Sequence, residues 1–190
     1  MEAEVVRRIH PTQFYETFLS KQIRPDGRKL TETRKTKIKF GSISTCDGSS
    51  LIKHGNTSIL CGIRCEYAES TEKQPNGEIS LNVELTSLSS SKFEFRKEKE
   101  TQQAVIKTIL DNIINTNDIF DISNLDIEQN GKKVAVWVLK VDIYCLEHDG
   151  SLIDSCLLSL ISALKDCKFL FFFSNFFNFS HTSKNTIYKI

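Results

Sequence analysis

The sequence has 190 residues, of which 39% are hydrophobic and 26% are charged, and its formal net charge at pH 7 is +1. This length allows one domain and little more, and the composition is ordinary for a soluble protein. The near-neutral charge excludes a basic field over the whole chain, so any contact with nucleic acid has to come from a local patch.

The first part of the chain favours a short helix followed by a turn. Apolar residues at helical spacing run through residues 5–20, and Pro11 is expected to break that helix. The run at residues 24–28 (Arg-Pro-Asp-Gly-Arg) predicts an ordered turn, because proline fixes its own backbone angle and Gly27 tolerates a positive one. The charged side chains of this run could contact RNA, but we expect Asp26 instead to accept backbone N–H bonds and fix the turn.

A series of short strands is predicted next. The strands are Ile38–Ser44, Ser50–Lys53 and Ser58–Tyr67, with turns at Asp47-Gly48 and Gly55-Asn56 between them. After a loop, apolar and polar residues alternate from Ile79 to Leu85, which predicts a half-exposed strand.

The second half of the chain alternates helix and strand. A helix is predicted over residues 101–115, with apolar residues from Val105 to Ile114 on one face. Val134–Leu146 is the strongest predicted strand. Ser151 and Asp154 resemble a capping box that opens a helix running to about Asp166. The order of meander, strand, helix, strand and helix indicates an α+β fold rather than repeated βαβ units.

Six cysteines occur, and none forms a CxxC pair. Cys61 and Cys65 would share one face of a strand. We favour buried thiols over a zinc site with His54 or His148, because the ligand spacings of common zinc sites are missing, and we predict no metal and no cofactor. Residues 1–9 are charged rather than apolar, so no export signal is predicted, and thiols without one indicate a reducing, intracellular compartment.

The residues from Lys168 to Ile190 differ in composition from the rest of the chain. Seven of the thirteen phenylalanines lie here, and the segment contains neither Gly nor Pro. Its apolar run is far short of the ~20 residues that span a bilayer, so no membrane anchor is predicted. The common residue types have AT-rich codons, and our hypothesis is translated noncoding sequence such as a retained intron. Sequencing a full-length transcript would test this, and a conventional coding exon would contradict it.

Several motifs stand in order along residues 12–167. They are Arg24-Pro25-Asp26-Gly27-Arg28, Gly41-Ser42-Ile43-Ser44, Asp47-Gly48-Ser49-Ser50, Gly55-Asn56-Thr57, Val136-Trp137-Val138-Leu139, Asp149-Gly150-Ser151-Leu152-Ile153-Asp154-Ser155-Cys156 and Ala163-Leu164-Lys165. The series resembles the RNase PH family, and within it the 43-type ring subunits of the eukaryotic RNA exosome. The resemblance implies an RNase PH-like α+β fold, βαβ-rich and two-layered, at residues 24–167. An N-terminal helical extension (1–23) would precede it, and a non-family tail (168–190) would stand where the second lobe is missing or replaced.

The resemblance also implies a function. It suggests a non-catalytic scaffold and RNA-channel subunit of the exosome core ring, acting in 3′-to-5′ RNA processing and degradation, including rRNA maturation and mRNA decay. The implied partners are other RNase PH-like ring subunits, S1/KH-type cap subunits, an associated hydrolytic nuclease and single-stranded RNA in the ring pore. The implied location is the nucleus, nucleolus and cytoplasm. Two alternatives stay open, a phosphate-dependent 3′-5′ exoribonuclease and a truncated product that does not assemble.

The positions that match the machinery of active family members have lost its chemistry. Active bacterial members read Asp-Gly-Gly-Thr-Arg in the phosphate loop, where this chain has Asp149 followed by Gly150, Ser151, Leu152 and Ile153. Leucine and isoleucine side chains supply neither hydrogen bonds nor charge. Two arginines that grip RNA in active members match Thr108 and Asp111, and the family's catalytic aspartates lie beyond the second helix, where this chain has its Phe-rich tail. We therefore predict an inactive homologue without catalytic residues.

One dense basic stretch offers a candidate RNA contact, formed by Lys92, Arg96, Lys97 and Lys99 with Phe93 and Phe95 between them. The cations could bind the RNA backbone, and an aromatic ring could stack on a base. The alternative is a solvated loop whose phenylalanines dock on the core. We favour the alternative because three glutamates dilute the charge and charge runs are usually solvated.

Two further candidates have ordinary explanations. Asp142 with Lys140 or Lys133 could pair as acid and base, but an exposed strand face accounts for them. Trp137 lies in the most apolar strand, so core packing is expected rather than base stacking.

Overall fold

The computed structural model describes residues 2–69, 77–86, 89–90, 96–116, 125–129 and 132–167. The chain forms two compact units, Met1–Lys35 and a second unit that begins at Thr36. Lys92, the phenylalanines beside it and the tail after Cys167, on which the noncoding-sequence hypothesis rests, lie outside the described residues.

The first unit contains two short helices, α1 (Glu2–Ile9) and α2 (Pro11–Leu19). The predicted break at Pro11 is confirmed, because this proline occupies the first turn of α2, where its missing N–H is not needed. The predicted turn also forms, since Gly27 has φ +83° and donates its N–H to the carbonyl of Arg24 at 2.9 Å. The Arg28 guanidinium donates to the Asp26 carboxylate at 2.6 and 2.8 Å, which supports the structural role of this run.

The second unit is built on a mixed β-sheet. Its strands among the described residues are β1 (Thr36–Phe40), β2 (Gly48–His54), β3 (Thr57–Glu69), β4 (Glu78–Leu85), β5 (Asp126–Gln129) and β6 (Lys132–Glu147). The order across the sheet is β1-β2-β3-β6-β4, and β5 lies beside the start of β6. Among the described strands, only β4 and β6 pair in parallel, and helix α3 (Arg96–Asn115) lies between them in the chain and provides the long crossover that parallel strands require. The predicted α+β class is confirmed.

The core lies between the sheet and two helices, α3 and α4 (Leu152–Asp166). Alternate side chains of β3, β4 and β6 form one buried cluster with both helices, including the fully buried Ile59, Leu139 and Ile143. Each such side chain contributes roughly 1.5–3 kcal/mol by leaving water. Among the described residues, no helix is both long and apolar enough to cross a lipid bilayer.

Several element boundaries differ from those predicted. Strand β1 ends at Phe40 rather than Ser44, because Gly41 adopts φ +62° and turns the chain out of the sheet. Helix α3 begins at Arg96, five residues earlier than predicted, so part of the basic stretch is helical. Val105 was predicted on the apolar face of α3, but it is 50% exposed. Strand β5 was not predicted.

Candidate functional site

The segment that matches the family's phosphate loop enters α4 through two left-handed residues. Gly150 has φ +88°, which suits glycine, and Ser151 has φ +56°, which costs an L-residue about 1–2 kcal/mol. Thr57, the first residue of β3, holds this loop in place. Its hydroxyl donates to the carbonyl of Gly150 at 2.7 Å and accepts the N–H of Asp149 at 3.0 Å. The two residues that precede the strained Ser151 are therefore fixed by contacts with the sheet.

Ser151 does not form the predicted capping box. Its hydroxyl donates to the Asp154 carboxylate at 2.8 Å, whereas in a capping box it would accept a backbone N–H of the first turn. An N-cap residue normally has extended backbone angles, and the left-handed backbone of Ser151 departs from them. The start and end of α4 nevertheless agree with the prediction.

The N-terminal end of α4 presents carboxylates rather than cations. Asp149 and Asp154 are both exposed, and the Asn56 amide donates to the Asp149 carboxylate at 3.1 Å. The partial positive charge at a helix N-terminus favours an anion, and Asp154 in the first turn already supplies one. Leu152 is buried in the core, and Ile153 is 38% exposed. No side chain of residues 149–154 carries a positive charge with which to bind phosphate.

Helix α3 carries no positive charge at the two positions that match the arginines of active members. The Thr108 hydroxyl donates a hydrogen bond to the carbonyl of Ala104, one turn earlier in the same helix, at 2.8 Å. Its donor is therefore already used within the helix. Asp111 is half-buried and brings a negative charge. These positions therefore offer an RNA backbone neither charge attraction nor a bidentate donor.

The described part of the basic stretch forms the first turn of α3. Lys97 is exposed, and Lys99 is half-buried. The first turn also contains Glu98, and the Thr101 hydroxyl donates to the carbonyl of Lys97 at 2.8 Å. Lysines at a helix N-terminus oppose the helix dipole, by about 0.3–1 kcal/mol per charge. The interpretation of this stretch as a loop is therefore wrong for residues 96–99.

The acid and base pair that the sequence offered as the less favoured interpretation of β6 does not form. Asp142 accepts from Arg64 at 3.2 Å and from the Asn82 amide at 3.1 Å. Each lysine pairs with another carboxylate, Lys140 with Glu66 at 2.6 Å and Lys133 with Asp126 at 2.5 Å. Both lysines are exposed and Asp142 is half-buried, and each of the three pairs with a different charged partner.

Trp137 and Cys61 lie in or against the hydrophobic core. Trp137 is half-buried and packs against the core, as predicted, and its ring meets that of the exposed Tyr67 edge to face at 6.0 Å. Cys61 is fully buried, and burial raises the pKa of its thiol. The described residues contain no group of three or more side chains placed to hold a metal ion.

Comparison with known proteins relates this chain to components of exosome complexes. Residues 32–169 match the RNase PH model, described as "3' exoribonuclease family, domain 1". The chain is 36% identical over 165 residues to exosome complex component rrp43 of Schizosaccharomyces pombe, covering 86% of this chain and 60% of that protein. It is 34% identical over 153 residues to exosome complex component Rrp42 of Saccharolobus solfataricus, covering 80% of this chain and 54% of that protein.

Solved structures agree with the sequence comparison. A chain of the Archaeoglobus fulgidus exosome with RNA bound to its active site superposes with a TM-score of 0.71 at 31% identity, covering 87% of this chain and 62% of that one. A chain of an archaeal exosome core gives a TM-score of 0.67 at 27% identity, covering 87% and 59%. The protein thus spans 54–60% of the length of the two curated relatives described above.

Proposed function

Since the chain belongs to the RNase PH family of 3′ exoribonucleases, we propose that it is a non-catalytic ring subunit of an RNA exosome. In this role it contributes scaffold and RNA channel to 3′-to-5′ RNA processing and degradation, including rRNA maturation and mRNA decay. The names of its relatives support this role, because both are exosome components.

One observation carries the proposed loss of catalysis: the N-terminal end of α4 offers carboxylates where an anion would have to bind. Phosphorolysis needs a phosphate held by cations and backbone donors beside the RNA 3′ end. Here Asp154 occupies the first turn, and Leu152 packs into the core. The loss of one preorganised charge contact typically costs ~10²–10³ in rate, and Thr108 and Asp111 replace two further contacts.

A phosphorolysis assay tests this proposal. Purified chain with single-stranded RNA and inorganic phosphate should release no nucleoside diphosphates above background, while an active RNase PH assayed in parallel releases them. Phosphate-dependent release that survives repurification would support the exoribonuclease alternative. A Ser151→Asp variant then identifies the source, because added negative charge at the loop should abolish activity of this chain and leave that of a contaminant unchanged.

The partners and the domain layout are further parts of the proposal. We propose binding to other RNase PH-like ring subunits, S1/KH-type cap subunits, the associated hydrolytic nuclease and single-stranded RNA, in the nucleus, nucleolus and cytoplasm. Residues 24–167 would form the family domain, between the extension 1–23 and the tail 168–190. Purification of a tagged chain should recover ring subunits in near-stoichiometric amounts, and a fluorescent fusion reports its location. Recovery of the chain alone would favour the product that does not assemble.

We propose that the basic stretch contacts the RNA backbone through Lys92, Arg96, Lys97 and Lys99. Lys97 and Lys99 lie in the first turn of α3, where the helix dipole opposes their charge, and this unfavourable placement supports a binding role. In the assembled ring, Lys97→Ala with Lys99→Ala should weaken RNA binding and reduce the slope of log affinity against log salt by about one per lost phosphate contact. The matched control is Lys107→Ala, an exposed lysine on the same helix. Equal effects of both changes would contradict the proposal.

A further inference from the structure

Two cysteines that are far apart in sequence meet at the C-terminal end of α4. The sulfur of Cys65 on β3 lies 3.7 Å from the sulfur of Cys167, 102 residues later in the chain. At this separation the two thiols form a hydrogen bond, in which either sulfur could be the donor. A disulfide has an S–S distance of about 2.05 Å, so the two sulfurs need to approach by less than about 2 Å in total.

The backbone holds both thiols in this arrangement. Cys65 donates its N–H to the Asp47 carboxylate at 2.8 Å, and Cys167 donates its N–H to the carbonyl of Leu164 at 3.2 Å. Cys167 also packs so closely on Gly48 that a methyl group there would lie 2.8 Å from its Cα. Because the two residues are already positioned, little further conformational entropy is lost when a bond joins them.

The two thiols differ in access to solvent. Cys65 is half-buried, whereas Cys167 is 1% exposed. A small oxidant therefore reaches Cys65 first. Once part of that reagent is bound to the Cys65 sulfur, the neighbouring Cys167 thiol can displace the bound part. Cys46 is also half-buried, but its described neighbours are Cys61 and Gly62 rather than the Cys65 sulfur.

The chemistry of Cys65 makes the pair slow to react. The hydrogen bond with Cys167, followed by burial, raises the pKa of the Cys65 thiol well above its ordinary value. The thiolate is the nucleophile in disulfide exchange, so little of the reactive form is present near neutral pH. The pair should therefore stay reduced during brief oxidation and respond to sustained exposure.

We propose that Cys65 and Cys167 form an oxidation site that closes to an intramolecular disulfide on reaction with a low-molecular-weight disulfide such as glutathione disulfide. The Cys65 sulfur attacks the reagent, its proton passes to solvent, and one glutathione thiolate leaves and takes up a proton. The Cys167 sulfur then loses its proton to solvent and attacks the Cys65 sulfur of the mixed disulfide, and the second glutathione leaves as a thiolate that takes up a proton. The two thiols lose two electrons, and one glutathione disulfide is reduced to two glutathione molecules.

The bond would fasten the C-terminal end of α4 to β3. It would close a loop of 102 residues, and a loop of this length is in the range where cross-linking restricts the unfolded chain most. We expect a rise in the unfolding midpoint of roughly 10 °C after oxidation, reversed by a dithiol reductant.

The test oxidises the full chain with glutathione disulfide and maps its cysteines by mass spectrometry after blocking the remaining thiols. A cross-linked peptide pair containing Cys65 and Cys167, together with the raised midpoint, is expected. Cys65→Ser and Cys167→Ser should each abolish the rise, whereas the matched control Cys46→Ser should keep it. Any of three results for the folded protein would overturn the proposal: a glutathione adduct that persists at Cys65, a disulfide involving Cys46, or no oxidation.

Discussion

Substitution of Gly48 by alanine tests how closely α4 approaches β2. A Cβ atom at Gly48 would lie 2.6 Å from the carbonyl oxygen of Ala163 and 2.8 Å from the Cα of Cys167. Both atoms belong to the backbone, so no side-chain rotation can relieve the contact. The C-terminal part of α4 would have to move away from the sheet.

The expected loss follows from two opposing effects. Overpacking that displaces backbone costs typically 1–3 kcal/mol. Alanine also restricts the unfolded chain, which offsets about 0.4–1 kcal/mol. We therefore expect Gly48→Ala to lower the free energy of unfolding by roughly 1–2 kcal/mol. Gly62→Ala is the matched control, because its Cβ would meet only side-chain atoms, the Cys46 sulfur at 2.9 Å and Ile43 Cδ1 at 3.2 Å.

Urea unfolding followed by far-ultraviolet circular dichroism measures both variants against the parent protein. Gly62→Ala is expected to lose less than about 1 kcal/mol, since the ends of side chains can shift. Equal losses for the two variants, or a Gly48→Ala protein as stable as the parent, would refute the close packing of α4 on β2.

Three further predictions concern turns and caps. Ser151→Gly should raise the free energy of urea unfolding by about 0.5 kcal/mol by removing left-handed strain, whereas Ser151→Val should lower it. Asp166→Ala should lower it by about 1 kcal/mol, because the carboxylate accepts two backbone N–H groups at 3.0 and 3.1 Å; an unchanged midpoint would contradict this. The hydrogen bond from Arg28 lowers the pKa of Asp26. The contribution of the Asp26 carboxylate to the stability of the turn is therefore fully present above the ordinary carboxyl pKa, and it is lost as the pH falls through the lowered pKa. In an NMR titration of Asp26, Arg28→Leu should return the titration midpoint towards 3.8.

The strands and helices with strong periodicity could be predicted from the sequence. β4 alternates polar and apolar residues, and β6 is apolar over most of its length, so both were identified close to their observed limits. Strand β5 was missed because its four residues include Asp126 and two other polar residues, so no apolar alternation marks it. The Asn130-Gly131 dipeptide after it was the available turn signal.

The residue types of the candidate site can be predicted from the sequence, but the directions in which their side chains point cannot. The absence of cations between Asp149 and Asp154 is visible in the sequence. The direction in which each side chain points is not, because it depends on the left-handed backbone of Ser151, which serine rarely adopts. That backbone explains why the serine hydroxyl bonds to a carboxylate instead of capping α4. The contact of Cys65 with Cys167 depends on tertiary packing and has no local signal.

The pairing of β3 with β6 has a consequence for synthesis of the chain. β1, β2 and β3 follow one another closely in the chain, but β3 pairs along almost its whole length with β6, which ends at Glu147, 78 residues after β3 ends at Glu69 (147 − 69). At ribosomal rates of roughly 5–20 residues per second, the first three strands wait on the order of 4–16 s for that neighbour to emerge. During this interval the unpaired edge of β3 and its apolar face can form non-native contacts with other chains. This is therefore the stage of synthesis at which we expect the nascent chain to aggregate or to bind chaperones most readily.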